Sequence, residues 1–206
     1  MMIDSLLVIG AYLLGSLSSA IITCRLLGLP DPRKEGSGNP GTTNVLRIGG
    51  KKAALITLAG DFMKGLLPVL LAVYLSRHPV AIAATMIAAF AGHLWPLFFG
   101  FQGGKGVATA AGCLFGLALP VGLSAVASWL LIAAVTRLSS LAAIITACAA
   151  PFMTQGWLSE PIFTAGVALI SALTLARHHQ NIRNLVAGRE SRIGASKATH
   201  NPSEEP

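Results

Sequence analysis

Residues 5–24 read SLLVIGAYLLGSLSSAIITC, twenty residues between Asp4 and Arg25 without a single charge. That length matches the ~20 residues an α-helix needs to cross a hydrocarbon core. It also decides how the glycines that follow are read. Gly36, Gly38 and Gly41 have the G-x-G-x-x-G spacing of a dinucleotide fingerprint, and Asp61 lies twenty residues beyond the last of them. The fingerprint works only where a strand of a soluble βαβ unit leads in and a helix leads out, because the pyrophosphate must meet a helix N-terminus at a sheet edge. An uncharged run of membrane-spanning length is no such strand, and the dinucleotide reading fails.

The same texture recurs along the chain. Of 206 residues, 53% are hydrophobic and 11% charged, and the mean hydropathy is +0.68, the composition of a polytopic membrane protein. The opening MMIDSLL carries an acid and no base, unlike a signal peptide, so the first segment is expected to stay as a span. Cys24, Cys113 and Cys148 are odd in number, widely spaced and set in apolar runs. Neither a disulfide framework nor a metal cluster is expected of them.

Apolar runs between charges and turn residues predict an all-α fold with about seven transmembrane helices, near 4–26, 53–76, 79–99, 106–119, 121–136, 139–155 and 161–177. The uncharged stretch 106–136 is long for one span and short for two, and LALPVGL around Pro120 supplies a breaker. Basic residues decide between the two, because they accumulate on the cytoplasmic side of short loops. With seven spans and the N-terminus outside, thirteen of the fifteen Lys and Arg fall inside, Lys64 lies within a span and Arg77 faces out. A single crossing would move Arg137 and the basic C-terminal region outside, so two short helices, tilted or partly re-entrant, are expected. The net charge of +7 then reflects topology and attraction to anionic headgroups, and no nucleic-acid partner is expected. One transmembrane domain is expected over 1–194, with a disordered polar tail over 195–206.

Three segments share the cytoplasmic face in this topology. In GSGNPGTTNVLRIGGKK, glycines can turn backbone N–H groups inward as an anion nest; Ser37, Thr42 and Thr43 add hydroxyls, and Arg47 adds a fork-shaped cation suited to phosphate. In GHLWPLFFGFQGGKGVAT, Gly103 and Gly104 precede Lys105 at a helix start, where amides, dipole and point charge converge. The Walker A spacing is missing, so ATP chemistry is not indicated. In RHHQNIRNLVAGRE, His178, Asn181 and Glu190 combine an imidazole, an amide and a carboxylate beyond a span. Each feature has a plainer reading as a flexible connector, a topology charge or an interface anchor. Asp61 and Lys64 are i, i+3 in an apolar run and can pair with each other, although buried charges in a membrane point to a site nearby.

Taken together, GSGNPGTTNVLR, GHLWPLFFGFQGGKGVAT and HHQNIRNLVAGRE resemble the three signature motifs of the bacterial acyl-phosphate glycerol-3-phosphate acyltransferases, the PlsY family, and LAGDFMKG in the second span is similar as well. The resemblance implies a multi-pass enzyme of the bacterial inner membrane with its active site on the cytoplasmic face. It implies acyl transfer from acyl-phosphate to the sn-1 hydroxyl of glycerol 3-phosphate, giving lysophosphatidic acid and inorganic phosphate, with no cofactor, no metal and no obligate protein partner. Position by position, it implies catalytic roles for Ser37, Arg47, Lys105, His178, Asn181 and Glu190. Substrate or phosphate binding falls to Gly38, Asn39, Gly41, Thr42, Thr43, Asn44, Gly103 and Gly104. One departure is Asn184, where the family's third motif has a basic residue.

The chemistry matches the residue inventory. Both substrates are phosphorylated, and the acyl tail needs an apolar slot toward the bilayer. A mixed anhydride already has a good leaving group, so positioning and charge neutralisation suffice without a covalent nucleophile. The base is His178, Glu190 or a substrate phosphate. Two other classes fit the residues less well. A transporter for anionic solutes would place its glycine breaks near the midplane, and a structural subunit would leave three phosphate-type loops without a purpose.

Overall fold

The computed structural model describes residues 2–76 and 78–193. The expectations for Arg77 and for the tail 195–206 lie outside the described residues. All regular structure among the described residues is helical: α1 (Met2–Gly15), α2 (Ser19–Leu26), α3 (Thr42–Leu75), α4 (Pro79–Leu94), α5 (Val107–Leu117), α6 (Leu119–Thr136), α7 (Ser139–Leu158), α8 (Pro161–Arg177) and α9 (His179–Val186). Four segments are long and apolar enough to cross a membrane, namely α3, α4 continued through a 3₁₀ turn at Leu97–Phe99, α6 and α7, and up to six spans result if each bent pair counts as one.

The differences from the expected seven have local causes. The first span is broken after Gly15, and α1 and α2 meet at a 43° bend. The break frees the carbonyl of Leu17, which accepts from Lys64 Nζ at 2.8 Å. Lys64 also pairs with Asp61 at 2.8 Å, both side chains buried, so the two charges in the second span neutralise each other and close the break beside them. The second helix begins eleven residues earlier than expected, at Thr42, and turns at Gly50, whose φ of 72° and ψ of −172° suit glycine. In the doubtful stretch two helices form, divided at extended Ala118, with Pro120 in the first turn of α6. α5 has only 11 residues, roughly 16 Å of helix against the ~30 Å of a hydrocarbon core, so it is not of spanning length.

Small residues mediate the packing. A Cβ on Gly15 would lie 2.2 Å from the Ala89 carbonyl oxygen, bringing α1 against α4, and one on Gly112 would lie 2.0 Å from that of Phe62, bringing α5 against α3. Meanwhile Leu67, Leu71, Tyr74, Leu131 and Phe152 are exposed. Lipid is as apolar as leucine, so burying large aliphatic side chains between spans gains little, whereas close backbone approach gains dispersion contacts.

Candidate active site

The first glycine segment forms the loop between α2 and α3. Gly36 and Gly38 adopt φ of 64° and 70°, which turns the chain back over Asn44. The Asn44 side chain is buried. Its Oδ1 accepts from the Ser37 amide at 2.8 Å, and its Nδ2 donates to the carbonyls of Pro32 at 2.8 Å and Glu35 at 3.0 Å. Asn44 is therefore the buckle of the loop rather than a free substrate ligand. The loop is fixed from outside by Arg33, which chelates Asp31 and donates to the Phe99 carbonyl. That guanidinium holds the Asp31 carboxyl down at about 2. After Gly41 the chain enters α3, whose first N–H groups have no acceptor within the helix.

The second segment is clamped from two sides. Arg177, at the end of α8, donates to the carbonyls of Gly104 at 3.1 Å and Gly103 at 2.7 Å. On the other side, Gly104 N–H donates to the His93 carbonyl, and a Cβ on Gly104 would lie 2.4 Å from His93 Nε2. Both glycines serve close packing, and neither lines the cavity described below. They aim Lys105, which donates to Asn181 Oδ1 at 2.6 Å.

The third segment receives it. Asn181, on α9, passes the contact on through Nδ2 to Glu190 Oε1 at 2.7 Å, and the same oxygen accepts from Ser140 Oγ at 2.7 Å. One chain of contacts thus joins the Lys105 loop, α9, the segment after α9 and the start of α7. His178 sits at the 60° bend between α8 and α9, buried, with Nδ1 2.8 Å from the Thr174 carbonyl. A carbonyl only accepts, so Nδ1 carries the proton and Nε2 keeps its lone pair. Burial pushes the Lys105 ammonium down from the ordinary lysine range; Glu190 opposes this, while Arg177 and Arg47 reinforce it.

These groups meet in a cavity of about 720 Å³. Polar and charged lining comes from Ser37, Asn39, Gly41, Thr42, Thr43, Asn44, Arg47, Lys105, His178, Asn181 and Glu190 and from the buried Asp61 and His93, while α3, α5, α6, α7 and α8 add a largely apolar wall that includes Phe62, Leu114, Val126 and Ile170. Gly38, Gly103 and Gly104 stand outside the lining. Arg47 is exposed and makes no hydrogen bond or ion pair among the described residues. The Thr42 hydroxyl and the Trp129 indole N–H, both in the lining, find no hydrogen-bond partner among the described residues. A cationic mouth over an apolar slot is complementary to an amphiphile with an anionic head.

The family model for glycerol-3-phosphate acyltransferase matches residues 5–188. The chain belongs to this family. Its relatives include the glycerol-3-phosphate acyltransferases of Thioalkalivibrio sulfidiphilus, 54% identical over 99% of this chain and 100% of the relative, and of Methylococcus capsulatus, 52% identical over 96% and 100%. Among solved structures it is similar to PlsY, an integral membrane glycerol 3-phosphate acyltransferase. The glycerol 3-phosphate form matches with a TM-score of 0.89 and 40% identity over 93% of this chain and 96% of that one. The lysophosphatidic acid form matches with a TM-score of 0.85 and 38% identity over 92% and 94%. The family's integral-membrane character agrees with the apolar helices of this chain.

Sequence reasoning missed two residues that hold this candidate site together. Ser140 is one serine among several at helix starts, and nothing local marks it as the partner of Glu190, fifty residues away. Arg177 reads in the sequence equally well as a topology charge, and only the fold shows that it holds the Lys105 loop. The resemblance itself rested on the three segments that the fold brings to one mouth.

Proposed function

We propose that this protein transfers an acyl group from acyl-phosphate to the sn-1 hydroxyl of glycerol 3-phosphate, releasing lysophosphatidic acid and inorganic phosphate in phospholipid synthesis. The observation that carries this reading is the cavity itself, cationic and rich in donors at its mouth and apolar below. The family's name and the glycerol 3-phosphate and lysophosphatidic acid forms of the PlsY relative support the acceptor and the product. The donor is inferred from chemistry. Two phosphates account for Arg47, Lys105, the Ser37 and Thr42 hydroxyls and the free N–H groups that open α3, and a mixed anhydride brings its own leaving group, so the reaction calls for no cofactor.

In this mechanism the donor phosphate and the glycerol phosphate share the mouth, held by Ser37, Asn39, Gly41, Thr42 and Thr43 and by the cations Arg47 and Lys105, while Gly38 shapes the turn that presents Ser37. Gly103 and Gly104 frame Lys105, and Asn181 and Glu190 keep it on line. The hydroxyl oxygen attacks the acyl carbon, and a C–O ester bond forms as the C–O bond to phosphate breaks. The proton passes to His178 Nε2 and on to the departing phosphate, returning a neutral imidazole. The lysophosphatidic acid leaves through the apolar slot.

The same reading takes residues 1–194 as one domain of the bacterial inner membrane, with the N-terminus outside and the mouth and C-terminus on the cytoplasmic side. The α5–α6 pair then enters and returns, with α5 too short for a full crossing and α6 of spanning length. The basic-residue asymmetry supports this orientation. The decisive experiment is phosphate release by the purified protein from palmitoyl phosphate. Release dependent on glycerol 3-phosphate is expected; transfer from palmitoyl-coenzyme A but not from palmitoyl phosphate would overturn the donor assignment.

A further inference from the structure

The apolar part of the cavity ends at one level. Its lining stops at Phe62 on α3, Phe115 on α5 and Ala150 on α7, and begins at Ala125 on α6 and Val167 on α8, the two helices that run back toward the mouth. Two of these five side chains are aromatic and they meet: the Phe62 and Phe115 rings lie 5.5 Å apart at 68°, edge to face. We propose that this pair is the floor of the acyl slot and sets the longest chain the protein accommodates in full. This rests on the acyl-transfer reading of the cavity and assigns its chain-length selectivity.

Three features carry the inference. From Ser140 at the mouth to Ala150 is ten residues of α7, roughly 15 Å of helix. That is about half of the ~30 Å hydrocarbon core, so the slot has the depth of one leaflet and suits the chains that fill a leaflet. The floor is also rigid. Gly112 packs on the Phe62 carbonyl, and a Cβ on Gly122 would lie 2.5 Å from the Phe115 ring, so the backbones behind both rings leave little room for retreat. Finally, the lining residues Leu55, Leu58 and Leu130 above the floor are exposed. A chain enters sideways there, and carbons beyond the floor must turn out through the same side, gaining nothing over lipid.

The test is binding of a graded series of n-alkyl phosphates, hexyl to eicosyl, to the purified protein in detergent, alongside transfer from the matching acyl phosphates. Affinity should rise roughly fourfold per methylene and then stop rising. Phe115→Ala should move that break to longer chains. Ala147→Phe, which fills the slot partway up from a cavity-lining position, should move it to shorter ones. Phe62→Leu provides a milder variant in the same direction as Phe115→Ala should the latter fail to fold. A wild-type series that climbs without a break, or variants that leave the break where it was, would overturn the floor. Binding is read without turnover, so a break in binding with no transfer to glycerol 3-phosphate would instead overturn the proposed reaction and leave the floor standing.

Discussion

Lys105 and Glu190 do not touch; they are held on opposite ends of the Asn181 amide, at 2.6 Å from Oδ1 and 2.7 Å from Nδ2. The amide can serve both only in one orientation, with its oxygen toward the ammonium and its nitrogen toward the carboxylate. A cation is thereby kept forward at the mouth, spaced from the anion that would otherwise neutralise it.

Arg47→Ala and Lys105→Ala should each lower kcat/KM by roughly 10- to 150-fold, the equivalent of a charge-assisted contact of ~1.5 to 3 kcal/mol. The two should differ in stability. Arg47 makes no hydrogen bond or ion pair among the described residues, so its loss should leave thermal melting unchanged. Lys105→Ala strips a partner from Asn181 and should lower it. Phosphate release and melting in detergent, measured on the same preparations, check both halves.

The alkaline side of the pH profile should report Lys105. Burial holds its pKa below the ordinary lysine value, and a phosphate ligand must be charged. The positive charge is therefore lost at a lower pH than in a free lysine, and kcat/KM should fall correspondingly early as pH rises. Lys105→Arg, which stays protonated, should move that limb upward even if the peak rate drops. An unmoved limb would assign the titration to another group.

Asn44→Ala should cost about 2 to 4 kcal/mol of stability, because it removes three hydrogen bonds from a buried site and strands two carbonyls and an amide. The loop carrying Ser37 loses its buckle, so KM for glycerol 3-phosphate should rise as well. Asn44→Asp keeps the acceptor for Ser37 and loses both donors, and should be nearly as damaging.

His178→Gln should reduce kcat by about 10² to 10⁴ with little change in KM, the range for loss of a general base. Glu190→Gln should stay within roughly tenfold of wild type, since its amide oxygen can still accept from Asn181 and Ser140. A Glu190→Gln variant as inactive as His178→Gln would transfer the role of base to the carboxylate.

Direct transfer also predicts that no acyl-enzyme forms. Radiolabelled acyl-phosphate incubated with the protein alone should leave no label after denaturation. Stoichiometric label lost in Ser37→Ala would make that serine a covalent nucleophile.

The sequence by itself determined that this chain is a helical membrane protein, because an uncharged run of twenty residues has no stable place except across a bilayer with its backbone bonded internally. It also brought forward many of the residues that line the cavity, since hydroxyls, Arg47 and Lys105 lie together in short polar segments between apolar runs. Helix boundaries were less legible. Where a helix continues, as from Thr42 through the Gly50 turn, or stops, as at Gly15 and Ala118, depends on what satisfies the freed backbone groups. For Leu17 that partner is Lys64, forty-seven residues away. The roles within the mouth were decided only by tertiary structure. Asn44, Gly103 and Gly104 read as phosphate holders in the sequence, yet in the fold one is a buckle and two are packing points. Ser140 and Arg177 gained their roles from helices brought beside them. The slot and its floor are properties of five helices at once, created by close glycine-mediated backbone approach, and no local pattern records the distance between two helices far apart in the chain.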